Sequence, residues 1–184
     1  ESSALHIDDK DRDIFFSEIT NKSLKIFSSM GAMMLVVMPF IFPLFVNSKF
    51  GDSYNYIPIL TISCVFNVLV CIYTGIYIAR KETKKVASTT IIGALVNILI
   101  NVVLIKYIGL YAAAISTALS YLVMAMVRHF DIVKSINIKF DKYLIEGLIV
   151  EYIFIFSLYY INNIYLNILS LVIVSIISIM INRD

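Results

Sequence analysis

The sequence has few of the residues from which metal centres and covalent catalysis are built: two cysteines and two histidines in 184 residues. Cys64 and Cys71 stand seven apart within one apolar run, too far along a helix axis to bond to each other, so both read as reduced packing residues. There is no CxxC pair and no Cys/His cluster, which excludes the common structural-metal patterns. GxSxG, P-loop, HExxH and Asp-rich metal motifs are missing as well. No catalytic residue, metal or cofactor is expected, and no nucleic-acid partner. His6 falls in the polar start of the chain. His129, beside Arg128 at the end of an apolar run, reads as an interfacial residue, with headgroup or phosphate contact as the alternative.

What the chain has in excess is apolar surface. It is 60% hydrophobic with a mean hydropathy of +0.88, against the ~45–50% apolar content of a soluble domain. The excess is gathered into long runs, and about 20 apolar residues at 1.5 Å each cross the ~30 Å hydrocarbon layer of a bilayer. Six spans are predicted, at about 26–47, 54–79, 86–105, 110–127, 143–161 and 164–181, after a cytoplasmic amphipathic segment over 1–25. The expected fold class is all-α, a polytopic membrane bundle of six helices. Pro39 and Pro43 each remove a backbone donor in the first span and predict a kink near its far end.

The cations are distributed unevenly along this pattern. Residues 1–25, 80–85 and 128–142 hold four Lys or Arg each, Arg183 adds one, and the intervening loops hold only Lys49 and Lys106. Thirteen against two, alternating at every loop, predicts both termini in the cytoplasm. Arg80, Lys81, Lys84 and Lys85 read as contacts to anionic lipid headgroups, with a substrate-phosphate site as the sharper alternative. The chain begins at Glu1 without a signal-peptide pattern, and the expectation is a piece of a longer protein.

Polar residues inside the spans are the candidate functional groups. Cys64, Asn67, Cys71, Thr74 and Gly75 share one face of the second span; Thr90, Gly93, Asn97 and Asn101 share one face of the third. An amide turned to lipid would leave donors and acceptors unsatisfied, so these faces meet a helix or a wet cavity. Asn67, Thr90, Asn97 and Asn101 are therefore cavity-lining candidates, and hydrogen bonding between helices is the other reading. Ala112, Ser116 and Ser120 form a small-residue ridge on the fourth span, with Ala113 and Thr117 beside it. Glu151 falls eight residues into the fifth span. A lone carboxylate at that depth points to proton or cation coupling, against a protonated or cavity-rim structural role.

Three stretches carry a family resemblance: Gly75-Ile-Tyr-Ile-Ala-Arg-Lys-Glu-Thr-Lys84, Asn97-Ile-Leu-Ile-Asn-Val-Val-Leu-Ile105 and Gly109-Leu-Tyr-Ala-Ala-Ala-Ile-Ser-Thr117. Over about residues 30–125 the chain resembles the C-terminal half of polysaccharide biosynthesis flippases. These are the O-antigen and capsule repeat-unit exporters of the multidrug/oligosaccharidyl-lipid/polysaccharide exporter superfamily. The family pattern is a Gly-Lys-rich cytoplasmic loop, then Asn-x-x-x-Asn followed by Leu-Ile-Pro, then Gly-x-x-Gly-Ala-Ala. Lys106 stands where the family has Pro, and Ala112 where it has its second Gly, so close helix approach here tolerates a methyl group.

The resemblance implies two inward-facing bundles around a central cavity in the bacterial inner (plasma) membrane. An undecaprenyl-pyrophosphate-linked oligosaccharide would be taken from the cytoplasmic leaflet and presented at the outer one by alternating access. This chain would be the second bundle. Its implied partners are the missing N-terminal bundle, membrane lipids, a polysaccharide polymerase and a chain-length regulator. The last two spans look like the additional pair of fourteen-span members, which places Glu151 at the periphery. Every Lys and Arg reads as an interface or loop residue, so cations for the pyrophosphate are expected in the missing bundle. A cation-coupled multidrug or peptidoglycan-precursor exporter of the same superfamily is the first alternative. A membrane enzyme of glycolipid assembly is the second, and the external loops 48–53, 106–109 and 162–163 are too short to build its site.

Overall fold

The computed structural model of the protein describes residues 8–161 and 163–182, so that His6, Asn162 and Arg183 lie outside the described residues. Helix α1, Asp9–Phe45, is a single element of 37 residues, about 55 Å long at 1.5 Å per residue. The Asp8 carboxylate accepts the Asp9 N–H at its start, and Asp9 and Asp11 sit in the first turn, where negative charge opposes the helix dipole. The amphipathic segment and the first span are therefore one helix. It continues through Pro39 and Pro43 and ends at Phe45, with Val46 extended.

Two short 3-10 turns over Ser48–Tyr56 meet at Phe50 and lead into α2, Ile57–Ala79. Pro58 occupies the first turn of α2, where its missing N–H would have had no partner. Helix α3, Thr83–Ile108, and α4, Tyr111–Ile132, are joined only by Gly109 and Leu110. Gly109 has φ +57°, a backbone conformation open to glycine and strained for other residues. Lys106, Tyr107 and Ile108, expected in the turn, belong to α3. Helices α5, Lys142–Tyr159, and α6, Ile164–Ile181, complete the chain, capped by the side chains of Asp141 and Asn163.

Five of these helices are long and apolar enough to cross a membrane; α5 has the same 18 residues as α6 but carries Lys142, Glu146 and Glu151. The protein is an all-helical, polytopic membrane bundle.

Helix α4 lies against both α2 and α3, while α1 joins α2 on one side to α5 and α6 on the other. The ridge Ala112, Ser116, Ser120 is buried, and its four-residue register continues through Met124, Arg128 and Ile132. Small side chains there let the helices approach closely. Gly93 of α3 takes the side of Met124, whose sulfur would be 3.3 Å from an added Cβ. The opposite side of α3 is uncovered, with Ile91, Leu95, Ile98, Leu99 and Val102 exposed along an apolar face suited to hydrocarbon.

The two ends of the bundle are held by different contacts. At one end the segment after α4 braces α1: Arg12 donates to the Ser135 carbonyl at 2.9 Å, the Lys139 N–H donates to Ser17 Oγ at 2.9 Å, and Asn21 bridges the Lys139 carbonyl and the Asp141 N–H. At the other end Tyr159 and Tyr160 donate their hydroxyls to the carbonyls of Tyr54 and Asn55, and the Tyr54 and Tyr159 rings stack at 4.4 Å.

Candidate functional site

The polar face of α2 opens onto a groove between α1 and α2 of about 350 Å³. Ser23 and Gly31 of α1 and Thr61, Cys64, Asn67 and Cys71 of α2 line it. Both thiols are exposed there, and the Asn67 amide oxygen stands 4.0 Å from the Cys71 sulfur. Of the face singled out by sequence, Cys64, Asn67 and Cys71 line this groove, while Thr74 turns to Arg128. Phe27, Val68 and Ile72 complete the lining, so hydroxyl, amide and thiol groups share it with apolar side chains, and none of the lining residues is charged.

Gly31 sets the width of the same region. A Cβ there would fall 2.6 Å from the Tyr152 hydroxyl and 3.0 Å from Thr61, so the absence of a side chain admits both α2 and α5 to α1.

The other cavity candidates are elsewhere. Asn97 turns to α4 and donates to Thr117 Oγ1 at 3.4 Å, and the buried Asn101 side-chain oxygen has no hydrogen-bond partner. Thr90 is exposed, donates to the Val86 carbonyl at 2.8 Å and accepts from Arg128 at 3.1 Å. Asn67, Thr90 and the Asn97–Asn101 pair therefore belong to three places and not to one wall. For Asn97 the interhelical reading describes the observed contact.

Arg128 requires the largest correction. Assigned to a polar loop by sequence, it lies inside α4 and is 1% exposed. Its Nε donates to Thr89 Oγ1 at 2.9 Å. Nη1 donates to the Val70 carbonyl at 2.9 Å and to Thr74 Oγ1; Nη2 donates to Thr90 Oγ1 at 3.1 Å and the Val86 carbonyl at 3.4 Å. A guanidinium has five N–H donors, and all five are used on neutral oxygens of α2 and α3. The group pins three helices and keeps no donor for an anion. The ridge register Ser116, Ser120, Met124, Arg128 was the available signal for its burial.

Around Arg128 the sequence reading also missed Asp131. It accepts from Lys85 Nζ at 2.8 Å and from the Tyr77 hydroxyl at 3.0 Å, while Lys85 also meets Glu82 at 3.0 Å. Lys85 is thus engaged by two carboxylates; Arg80, Lys81 and Lys84 make no ion pair among the described residues and remain the candidates for headgroup contact. His129 is half-buried, 2.9 Å from the Tyr73 hydroxyl through Nδ1, and packs beside Phe140.

Glu151 is 3% exposed and neither carboxylate oxygen has a hydrogen-bond partner. It sits on α5, which packs on α1 and α6, away from the groove.

This geometry defines a multi-pass helical membrane protein with an uncharged groove between α1 and α2 and, among the described residues, a buried arginine and a buried glutamate. Comparison with protein-family models, curated proteins and solved structures gave no match.

Proposed function

We propose that this chain is the C-terminal membrane bundle of a bacterial lipid-linked oligosaccharide flippase of the inner membrane, a carrier and not an enzyme. Working against a second bundle of the same protein, it moves an undecaprenyl-pyrophosphate-linked repeat unit between leaflets by alternating access. The observation that carries the reading is the α1–α2 groove, where uncharged donors and acceptors stand among the apolar side chains Phe27, Val68 and Ile72. Sugar hydroxyls leaving water need replacement hydrogen bonds, and Ser23, Thr61, Asn67 and the thiols offer them without the grip of a charge. The apolar face of α3 meets lipid or the isoprenoid tail. Arg128 has no free donor, so the pyrophosphate is held by the other bundle.

The buried Glu151 favours a second reading, a cation-coupled multidrug or peptidoglycan-precursor exporter. Finding glycosyltransferase and polymerase genes beside this one would support the first reading over the second. The decisive experiment places the full-length gene in cells lacking their own flippase and follows the repeat unit. Appearance of the glycolipid at the outer leaflet, reduced by Asn67→Leu, is the expected result. Glycolipid that stays in the cytoplasmic leaflet while the protein is present at normal level overturns it.

A further inference from the structure

The carboxyl of Glu151 is buried without a partner among the described residues on α5, which packs on α1 and α6, and each of those two helices also buries a hydroxyl without a partner. These are the hydroxyls of Ser28 on α1 and Ser178 on α6. Two tethers bring these helices together at this level. Tyr152, the residue after Glu151, donates its hydroxyl to the Ser28 carbonyl at 3.0 Å. Asn182, one turn beyond Ser178, donates to Ser29 Oγ at 3.0 Å and to the Ser178 carbonyl at 2.8 Å.

Among the described residues no charge from the surrounding elements compensates the carboxyl. The buried residues of α1 at this level are Ser28, Ser29 and Ala32, and its nearest cation is Lys25. The buried residues of α6 are Asn167, Ser170, Val174 and Ser178, and no charged side chain occurs between Ile164 and Ile181; Arg183 lies outside the described residues. On α5 itself Tyr152 is the titratable neighbour, while Glu146 is exposed and faces Lys142 at 3.7 Å. A carboxylate withdrawn from water without a partner is strongly disfavoured; as the acid the same group is neutral and has an O–H to donate. A metal cation would need several oxygen ligands around it, but the helices here close on Ala32, Tyr152, Ile155 and Val174. A proton needs no such space.

We infer that Glu151 is a proton-binding site: protonated, it seals the α1–α5–α6 contact, and release of the proton parts the α5–α6 pair from α1. The step is an acid dissociation, in which the carboxyl O–H breaks and the proton passes to water admitted by the opening. The inference stands on the burial of Glu151 and not on any substrate.

The test uses the full-length protein with Cys64 and Cys71 replaced by serine and Ser178→Cys as a reporter. Its labelling by a thiol reagent is followed against pH with Glu151 present and in the E151Q background, which cancels the chemistry of the thiol. If each opening releases one proton, the ratio of the two rates rises by about tenfold per pH unit; a ratio independent of pH overturns the proposal. Infrared difference spectra of the unmodified protein supply a second readout. A protonated-carboxyl band that is lost as pH rises and is missing in E151Q is expected, and carboxylate signal throughout the range refutes it. Glu151→Asp keeps the acid and displaces the band, so the assignment survives a failure of E151Q to fold.

Discussion

Among the described residues the two halves of the bundle each bury one side chain of the Asp, Glu, Lys and Arg set, and they treat it in opposite ways. In the α2–α3–α4 half, Arg128 reaches five oxygens from two neighbouring helices and every donor is used. In the α1–α5–α6 half, Glu151 is nearly as deeply buried and has no partner. The difference lies in what the neighbours bring. Thr74, Thr89 and Thr90 back-bond their own helices and still accept from Arg128, whereas α1 and α6 bring Ser28 and Ser178, whose hydroxyls remain unpaired. A buried charge surrounded by a full set of complementary groups fastens helices together. The same kind of residue without them is a place where the protonation state and the packing depend on each other.

The largest expected effect tests the fastening. Arg128→Ala removes the hydrogen bonds that tie α4 to α2 and α3 and leaves a cavity, and the loss is about 3 kcal/mol or more of stability. Arg128→Lys recovers only part of it, because an ammonium has three donors at one point and not five in a planar fork. Thermal unfolding in detergent measures both. Equal stability of R128A and the parent would break the comparison, since Arg128 would then hold nothing together. Next in size is Gly31→Ala. The new methyl would meet the Tyr152 hydroxyl at 2.6 Å and displace it from the Ser28 carbonyl, an overpacking loss of about 1–3 kcal/mol. Restoration by the double change G31A/Y152F, which removes the crowding oxygen, would locate the strain at that contact.

Much of the fold was legible because membrane spans declare themselves by length. Six apolar runs, their alternating charge and the Ala112–Ser116–Ser120 ridge all follow from patterns within one helix. What could not be read depends on how one helix is turned against another. Helical spacing puts Asn67 on a face of α2 and Thr90, Asn97 and Asn101 on a face of α3, but faces do not say which neighbour they meet: Asn67 lines a groove, Thr90 joins the Arg128 cluster and Asn97 meets α4. Hydropathy also ends a span where the first charge appears. The helix itself continues as long as its backbone bonds and its buried ridge continue, so α4 carries Arg128, His129 and Asp131 inside it. The pairing of Lys85 with Asp131 across 46 positions is a tertiary fact with no local signature.

A smaller effect sharpens the α2–α3–α4 side of the comparison. Asn97→Val removes the hydrogen bond to Thr117, and hydrogen bonds between membrane helices average about 0.6 kcal/mol. A transport defect in N97V much larger than its stability loss would return Asn97 to the substrate path; equal, small losses leave it as a contact between helices.

The smallest expected effect on stability is the one that most sharply separates the two halves. If the fold holds Glu151 as a neutral acid, then E151Q replaces one neutral polar group with another of nearly the same shape, and stability near pH 5 changes by less than about 1 kcal/mol. The contrast with R128A is then one of kind, because removing a fastener and removing a proton site are felt under different conditions. The sign follows from proton uptake: a folded state that binds a proton more tightly than the unfolded state loses stability as pH rises, and a glutamine has no proton to lose. Unfolding curves of the parent should therefore fall towards those of E151Q and then below them between acid and alkaline pH, while R128A stays beneath its parent by the same margin throughout. Parallel curves for E151Q and parent across the whole range would mean that both halves bury a merely structural group, and the comparison would collapse to a difference in hydrogen-bond count.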